Sequence, residues 1–287
     1  MSRPLPMLAA TLGLALLWLP PSAVSDRANA ETACCTGRFA LSAAPRQGAL
    51  IRGRVPAGTT RLTLDGAPVA IAADGQFILG FGRDFGPAAT LSAYGPDGQA
   101  VTETLSVAPT RWRVEALSTV RRIPVPSAEF EARRAGELAA IAAARKARPG
   151  AEGWRQAFAW PARGRISGAF GSQRIYAGEP GAPHNGVDVA APAGAPVTAP
   201  ADGVVILAAP APFTLEGLLI LVDHGMGLES AFLHLSRIDV RTGDRVRQGQ
   251  AIGAVGATGR ASGPHLHWGL RWNDVRIDPQ QVAGPMR

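Results

Sequence analysis

Apolar and polar positions alternate in three styles along the chain, and each style predicts a different kind of structure. Between residues 37 and 108, short apolar stretches are separated by turn signals. RLTLDGAPVAIAADGQFILGF carries Asp65-Gly66 and Asp74-Gly75, and ATLSAYGPDGQAVTETLSV carries Asp97-Gly98. Asp-Gly between alternating runs is a strong hairpin signal, and repeated hairpins at this spacing predict a small antiparallel β-sandwich. Residues 111–150 read differently. SAEFEARRAGELAAIAAARKA is rich in helix formers, opens at a Ser127 cap and stops before Pro149-Gly150, which predicts a connector that is partly helical. From 155 to 284 the β pattern returns in RISGAFG, GVDVAAP, APVTAPADGVVILA, GLLILVDHG, LESAFLHLS, QAIGAVGATG and LHWGLRW. Strands this short, with so many glycine turns, predict a compact, mostly antiparallel sheet or barrel. The fold class expected is therefore mostly β.

Composition agrees with a folded chain of two domains. There are 287 residues, 46% hydrophobic and 18% charged, and 34 Gly with 24 Pro give the chain a turn-rich character. The first 30 residues read as a secretory signal. Arg3 precedes the apolar run LAATLGLALLWL, which is too short for a comfortable membrane span, and small residues follow at Ala23/Ser25 and Ala28/Ala30. An uncleaved membrane anchor is the competing reading of the same run. Either way the remainder is expected outside the cytoplasm. Cys34 and Cys35 are adjacent and do not make an ordinary disulfide framework, so they carry no chemistry that the sequence reveals.

The net charge of +7 adds one thing. Residues 111–150 hold nine Arg or Lys against four Glu, whereas the flanking segments are nearly balanced. That local basicity fits a solvated helix face; it also fits contact with an anionic wall polymer or membrane surface. No nucleic-acid-binding signature accompanies it.

The candidate chemistry lies in the histidines. All five, His184, His224, His234, His265 and His267, fall within the C-terminal β region. In a strand, His265 and His267 of GPHLHWGL point to the same side, an arrangement suited to holding a metal or moving a proton. His184 and Asp188 of PHNGVDVAAPAG are four apart, too far along a straight strand to share an ion, but Asn185-Gly186 can turn the chain between them. A His nitrogen, an Asp oxygen and a second His nitrogen make a three-ligand set for zinc with the fourth position open.

His184-x-x-x-Asp188, Phe232-Leu233-His234-Leu235-Ser236 and Gly263-Pro264-His265-Leu266-His267 together resemble the three signature segments of the lysostaphin-like (M23) zinc metallopeptidases. The phrases around them are similar over residues 161–279. The resemblance implies that His184, Asp188 and His267 bind one Zn²⁺, that His234 and His265 are catalytic and stand beside the water the metal activates, and that His224 is structural. It implies a zinc-dependent endopeptidase that hydrolyses peptide cross-links of peptidoglycan; with the signal segment, the expected place is periplasmic or otherwise exported, in a Gram-negative cell envelope. No HExxH helix supplies a glutamate base, which leaves His234 and His265 to exchange protons and stabilise the oxyanion. One departure is Glu216-Gly217-Leu218, where many relatives carry Gly-Asn. Two other readings fare worse. A non-catalytic activator of other wall hydrolases would have lost some of the five positions, and a lipoyl-type carrier hairpin in VRQGQAIGAVG would need a lysine beyond Lys146.

Overall fold

The Asp-Gly pairs are turns of the kind their chemistry demands. Asp65 (φ 48°) and Gly66 (φ 80°) both adopt the left-handed conformation that a two-residue hairpin loop requires, and they join Arg61–Leu64 to Ala67–Val69. At Asp74-Gly75 and Asp97-Gly98 only the glycine is left-handed (φ 80° and 79°), so these are turns of another type. The computed structural model describes residues 38–117, 127–176 and 179–286, together with Met1. The rest of the predicted signal segment, Cys34 and Cys35, and the connector residues Arg121 and Arg122 lie outside the described residues. Among the described residues no helix is long and apolar enough to cross a membrane.

The N-terminal strands form two sheets. One has four strands in the order Ala67–Val69, Arg61–Leu64, Ala88–Tyr94 and Ala100–Ser106; the other has Ala40–Leu41, Leu50–Arg54 and Gln76–Gly80. Phe77, Ile78, Leu79 and Phe81 are all buried, which an alternating strand with one wet face would not allow. The reason is a second contact. A Cβ on Gly80 would lie 2.8 Å from both Ile277 Cδ1 and Trp272 Cε3, so one face of this strand abuts the C-terminal sheet. Arg52 reinforces the junction by donating from Nε to the Trp154 carbonyl at 2.8 Å.

The C-terminal sheet has eight antiparallel strands. Seven run in the order Arg245–Val246, Gly203–Ala208, Leu218–Gly225, Leu228–Leu235, Leu266–Trp272, Val187–Ala190 and Arg165–Gly168; Val275–Ile277 pairs beside Leu266–Trp272. A smaller sheet of Pro196–Thr198, Ala251–Ala254 and Arg237–Ile238 stands alongside. The mostly β, antiparallel architecture is the one the sequence predicts. The core is carried by Val187, Val189, Ile220, Val222, Phe232, Leu266 and Trp268, all fully buried.

The connector departs from its expected form in two ways. Its first part, Val114–Leu117, is a strand that pairs in parallel with Gln173–Tyr176. Its helix, Ala128–Ala144, starts where expected, with Ser127 Oγ accepting from Phe130 N at 3.1 Å, but it does not stand free in solvent. Ile141 packs on Ile206, Leu219 and Leu221. This explains why LLILV is apolar on both faces: Ile220 and Val222 belong to the main core, while Leu219 and Leu221 lie under the helix. The connector's arginines are also engaged. Arg134 pairs with Glu137 and Glu216, and Arg145 pairs with Glu229. These internal partners do not support contact of the basic connector with an anionic wall or membrane surface.

If the helix is docked by this small apolar cluster, removing its buried anchor should loosen it. Ile141→Ala is expected to cost about 2–5 kcal/mol, the usual range for a buried aliphatic truncation. Denaturant unfolding measures this, and a midpoint equal to wild type would show that the helix is not packed in solution.

Candidate metal centre

Strand register builds the centre. Val187–Ala190 and Leu266–Trp272 run antiparallel with Asp188 directly opposite His267, so the two side chains leave the same face side by side. His267 Nδ1 lies 2.9 Å from Asp188 Oδ1. The turn at Asn185-Gly186 brings His184 back over the strand, with its Nε2 at 3.2 Å from Asp188 Oδ1 and 3.1 Å from His267 Nδ1. The ligand-type atoms of His184, Asp188 and His267 all lie within 4.8 Å of one another. Among the described residues this is the group of His, Cys, Asp and Glu side chains so arranged. Two imidazole nitrogens and a carboxylate oxygen converging on one point match the donor chemistry of zinc.

Two glycines make the convergence possible. A Cβ on Gly186 would sit 2.5 Å from the Trp268 carbonyl and 2.6 Å from His267 Nε2, and a Cβ on Gly168 would run into the Asp188 carboxylate. His184 Nδ1 donates to the Ala169 carbonyl at 3.1 Å, which leaves Nε2 with its lone pair toward the cluster. Such carbonyl partners leave no mark in a sequence, because every residue has one; this is why sequence reasoning does not find them.

The other two histidines border this group. His265 Nε2 is 3.8 Å from Asp188 Oδ1, and its Nδ1 donates to the Gly263 carbonyl at 2.8 Å. His234 Nδ1 donates to the Thr258 carbonyl at 2.8 Å, and its ring centroid lies 4.8 Å from that of His265 and 6.2 Å from that of His267. His234 also has a backbone φ of 64°, a left-handed conformation uncommon outside glycine. His224 is elsewhere in its contacts. It is fully buried, with Nδ1 at 2.8 Å from the Asp202 carbonyl, Nε2 at 2.9 Å from Ser230 Oγ, and Phe158 edge-on at 4.9 Å.

The electrostatics follow from burial and from one carboxylate. Burial opposes the charge on Asp188, but hydrogen bonds from His184 and His267 outweigh it and hold the carboxyl well below its ordinary range. Burial also opposes a charge on His184, and there the Asp188 carboxylate prevails and raises the imidazole's pKa. For His267 burial wins and lowers it, despite the same carboxylate. Burial lowers His234 as well, against the pull of the Thr258 carbonyl. His224 is pushed down to about 4 by burial, which Asp202 only partly offsets, the behaviour of a neutral packing residue.

Fold and site define a β-sheet metallohydrolase, with a His/Asp/His set on one face and two further histidines at its rim. Comparison with known proteins agrees. The profile of peptidase family M23 matches residues 182–279. A crystal structure of a peptidase M23 from Pseudomonas aeruginosa superposes with a TM-score of 0.65 at 31% identity, covering 84% of this chain and 96% of that one. The chain belongs to peptidase family M23, a family of metallopeptidases. The peptidoglycan DD-endopeptidase ShyA of Vibrio cholerae serotype O1 is 40% identical over 123 residues, 42% of this chain and 28% of that protein. The DD-carboxypeptidase/endopeptidase Mpg of Neisseria meningitidis serogroup B is 41% identical over 108 residues, 36% of this chain and 23% of that protein. The aligned part thus spans under a third of these curated relatives' own length.

The role of Gly186 can be tested without touching a donor. Gly186→Ala is expected to weaken metal affinity by about 10–100-fold, as loss of a supporting contact does. Competition with a chromogenic chelator reads this out; unchanged affinity would mean that the close approach of Gly186 to His267 does not shape the centre.

Proposed function

We propose that the protein is an exported, zinc-dependent endopeptidase that hydrolyses peptide cross-links of peptidoglycan in a Gram-negative cell envelope. The observation that carries this reading is the convergence of His184, Asp188 and His267 with His234 and His265 beside them. Support for the substrate comes from relatives whose names state peptidoglycan or DD-peptidase activity. The apolar run after Arg3 supports export.

His184 through Nε2, Asp188 through a carboxylate oxygen and His267 through Nδ1 would hold the ion. Zinc in a three-ligand site lowers the pKa of water toward neutrality and polarises a carbonyl. The remaining work belongs to side chains of this chain. The carbonyls of Gly263 and Thr258 fix His265 and His234 with Nδ1 protonated, which leaves Nε2 of each ring to accept a proton. Burial lowers the pKa of His234 and so favours its neutral form, the one that can take a proton from attacking water. Once protonated, either ring can stabilise an oxyanion or return the proton to the leaving amine.

Two kinds of variant separate holding the metal from chemistry. Asp188→Ala should abolish tight zinc binding, and full zinc content by elemental analysis would overturn the ligand assignment. His234→Ala and His265→Ala should keep zinc but lose about 10²–10⁴-fold in turnover of purified peptidoglycan, the usual worth of acid–base groups. Loss of zinc in either variant, or wild-type turnover, would show that its role is assigned wrongly.

A further inference from the structure

Glu137 is an unusual residue for a connector helix. It is a carboxylate only 7% exposed, on a helix whose other acids, Glu129 and Glu131, face solvent. A buried carboxylate is unfavourable unless its oxygens are paired. Here they are. Thr214 donates its backbone N–H at 2.7 Å and its hydroxyl at 2.5 Å, and Arg134 donates from Nη1 at 3.1 Å. Arg134 in turn grips Glu216 with both terminal nitrogens, at 2.5 and 2.7 Å. Arg133 adds a bond from Nη2 to the Pro212 carbonyl at 2.8 Å. The helix therefore holds the 212–217 loop by charge-assisted bonds, of which the bidentate pair is the most directional.

That loop is where the backbone of His234 is tied. The strand Leu228–Leu235 follows its neighbour Leu266–Trp272 only as far as the Leu233–His267 pair, so His234 lies just past that ladder. Its N–H donates to the Glu216 carbonyl at 2.8 Å. Its ring is held by the Thr258 carbonyl, and Thr258 is itself tied to the loop, accepting from Leu218 N at its hydroxyl at 2.9 Å. Gly217 and Gly259 let the two loops touch backbone to backbone, and Arg260 N donates to the Leu215 carbonyl at 2.9 Å. The left-handed backbone of His234 persists only where its surroundings over-determine it. One of the two atoms that do so, the Glu216 carbonyl, belongs to the loop the helix braces, and the other, the Thr258 carbonyl, to a loop bonded to it.

We propose that Arg134 and Glu137 are positioning residues for His234, acting through Glu216 and Thr214. This rests on the catalytic reading of His234 given above. The Glu216 carboxylate is the helix's point of attachment to the loop. The helix is separate in sequence from the sheet that carries the zinc ligands, so releasing it should disturb His234 while leaving the metal in place.

The test uses the full chain. In zinc-loaded Arg134→Met, kcat on a soluble cross-linked muropeptide dimer should fall about tenfold with KM and zinc content unchanged, since a small misplacement of a reacting group acts on the chemical step. Arg134→Lys, which keeps the charge but not the bidentate grip, should fall between the two. In the metal-free protein, Arg134→Met should speed hydrogen exchange of the His234 amide, read by NMR. In a His234→Ala background, Arg134→Met should cost nothing further. Thr214→Val, which removes one hydroxyl donor, serves if Arg134→Met does not fold and should shift kcat and amide exchange in the same directions. A kcat within twofold of wild type, an unchanged His234 amide, or an equal further loss in the His234→Ala background would overturn the proposal. Wild-type turnover in His234→Ala alone would instead overturn the role of His234 itself.

Discussion

Everything at the centre depends on one pairing in the sheet, Asp188 opposite His267. Side chains in a strand have a period of two, so a slip of one residue would send Asp188 and His267 to opposite faces and dissolve the donor set. The register is fixed by what lies between and behind these residues. Val187, Val189, Leu266 and Trp268 are buried completely on the other face, and a slip of either strand would drive two of them into solvent at roughly 1.5–3 kcal/mol each. The apolar core therefore does more than stabilise the fold; it determines which side chains meet.

A second constraint is that the five histidines are not equivalent donors. Four of them have Nδ1 committed to a backbone carbonyl, His184 to Ala169, His224 to Asp202, His234 to Thr258 and His265 to Gly263. His267 differs, since its Nδ1 faces Asp188 and His184. The carbonyl bonds choose the tautomer, and hence which nitrogen is available. For His224 the second nitrogen is also used, by Ser230, so nothing is left over for chemistry. Identical residues thus divide into packing, metal-holding and proton-moving candidates through partners that no motif records.

Much of the architecture is legible in the sequence because it is locally encoded. Asp65-Gly66 needs only its own backbone preference to make a hairpin, and Ser127 needs only the first turn of its helix. The spacing of His265 and His267 forecasts a shared face for the same reason. What the sequence conceals is set by contacts between distant segments. Val114–Leu117 pairs with a strand that starts at Gln173, and nothing in either segment specifies the other. The strained backbone of His234 depends on a carbonyl at Glu216 and on a loop at Thr258. Phe77 to Leu79 read as a strand from pattern alone, but their burial on both faces needs Trp272 and Ile277 behind them.

The connector shows where a charge count misleads. Its excess of arginine is segregated along the sequence, which suggests an outward-facing basic surface. In space the segregation is undone. Glu216 and Glu229, each more than 80 residues away in the chain, receive Arg134 and Arg145, and Ile141 between them closes over Ile206, Leu219 and Leu221. The acids that take up Arg134 and Arg145 lie in the C-terminal sheet and its loops, so the net charge of the connector taken alone overstates the basic surface these two residues present. Apolar burial at Ile141 holds the C-terminal half of the helix, and the ion pairs of Arg134 at mid-helix and Arg145 at the C-cap set its rotation and register. Paired charges contribute direction here more than stability, because desolvation offsets most of their attraction.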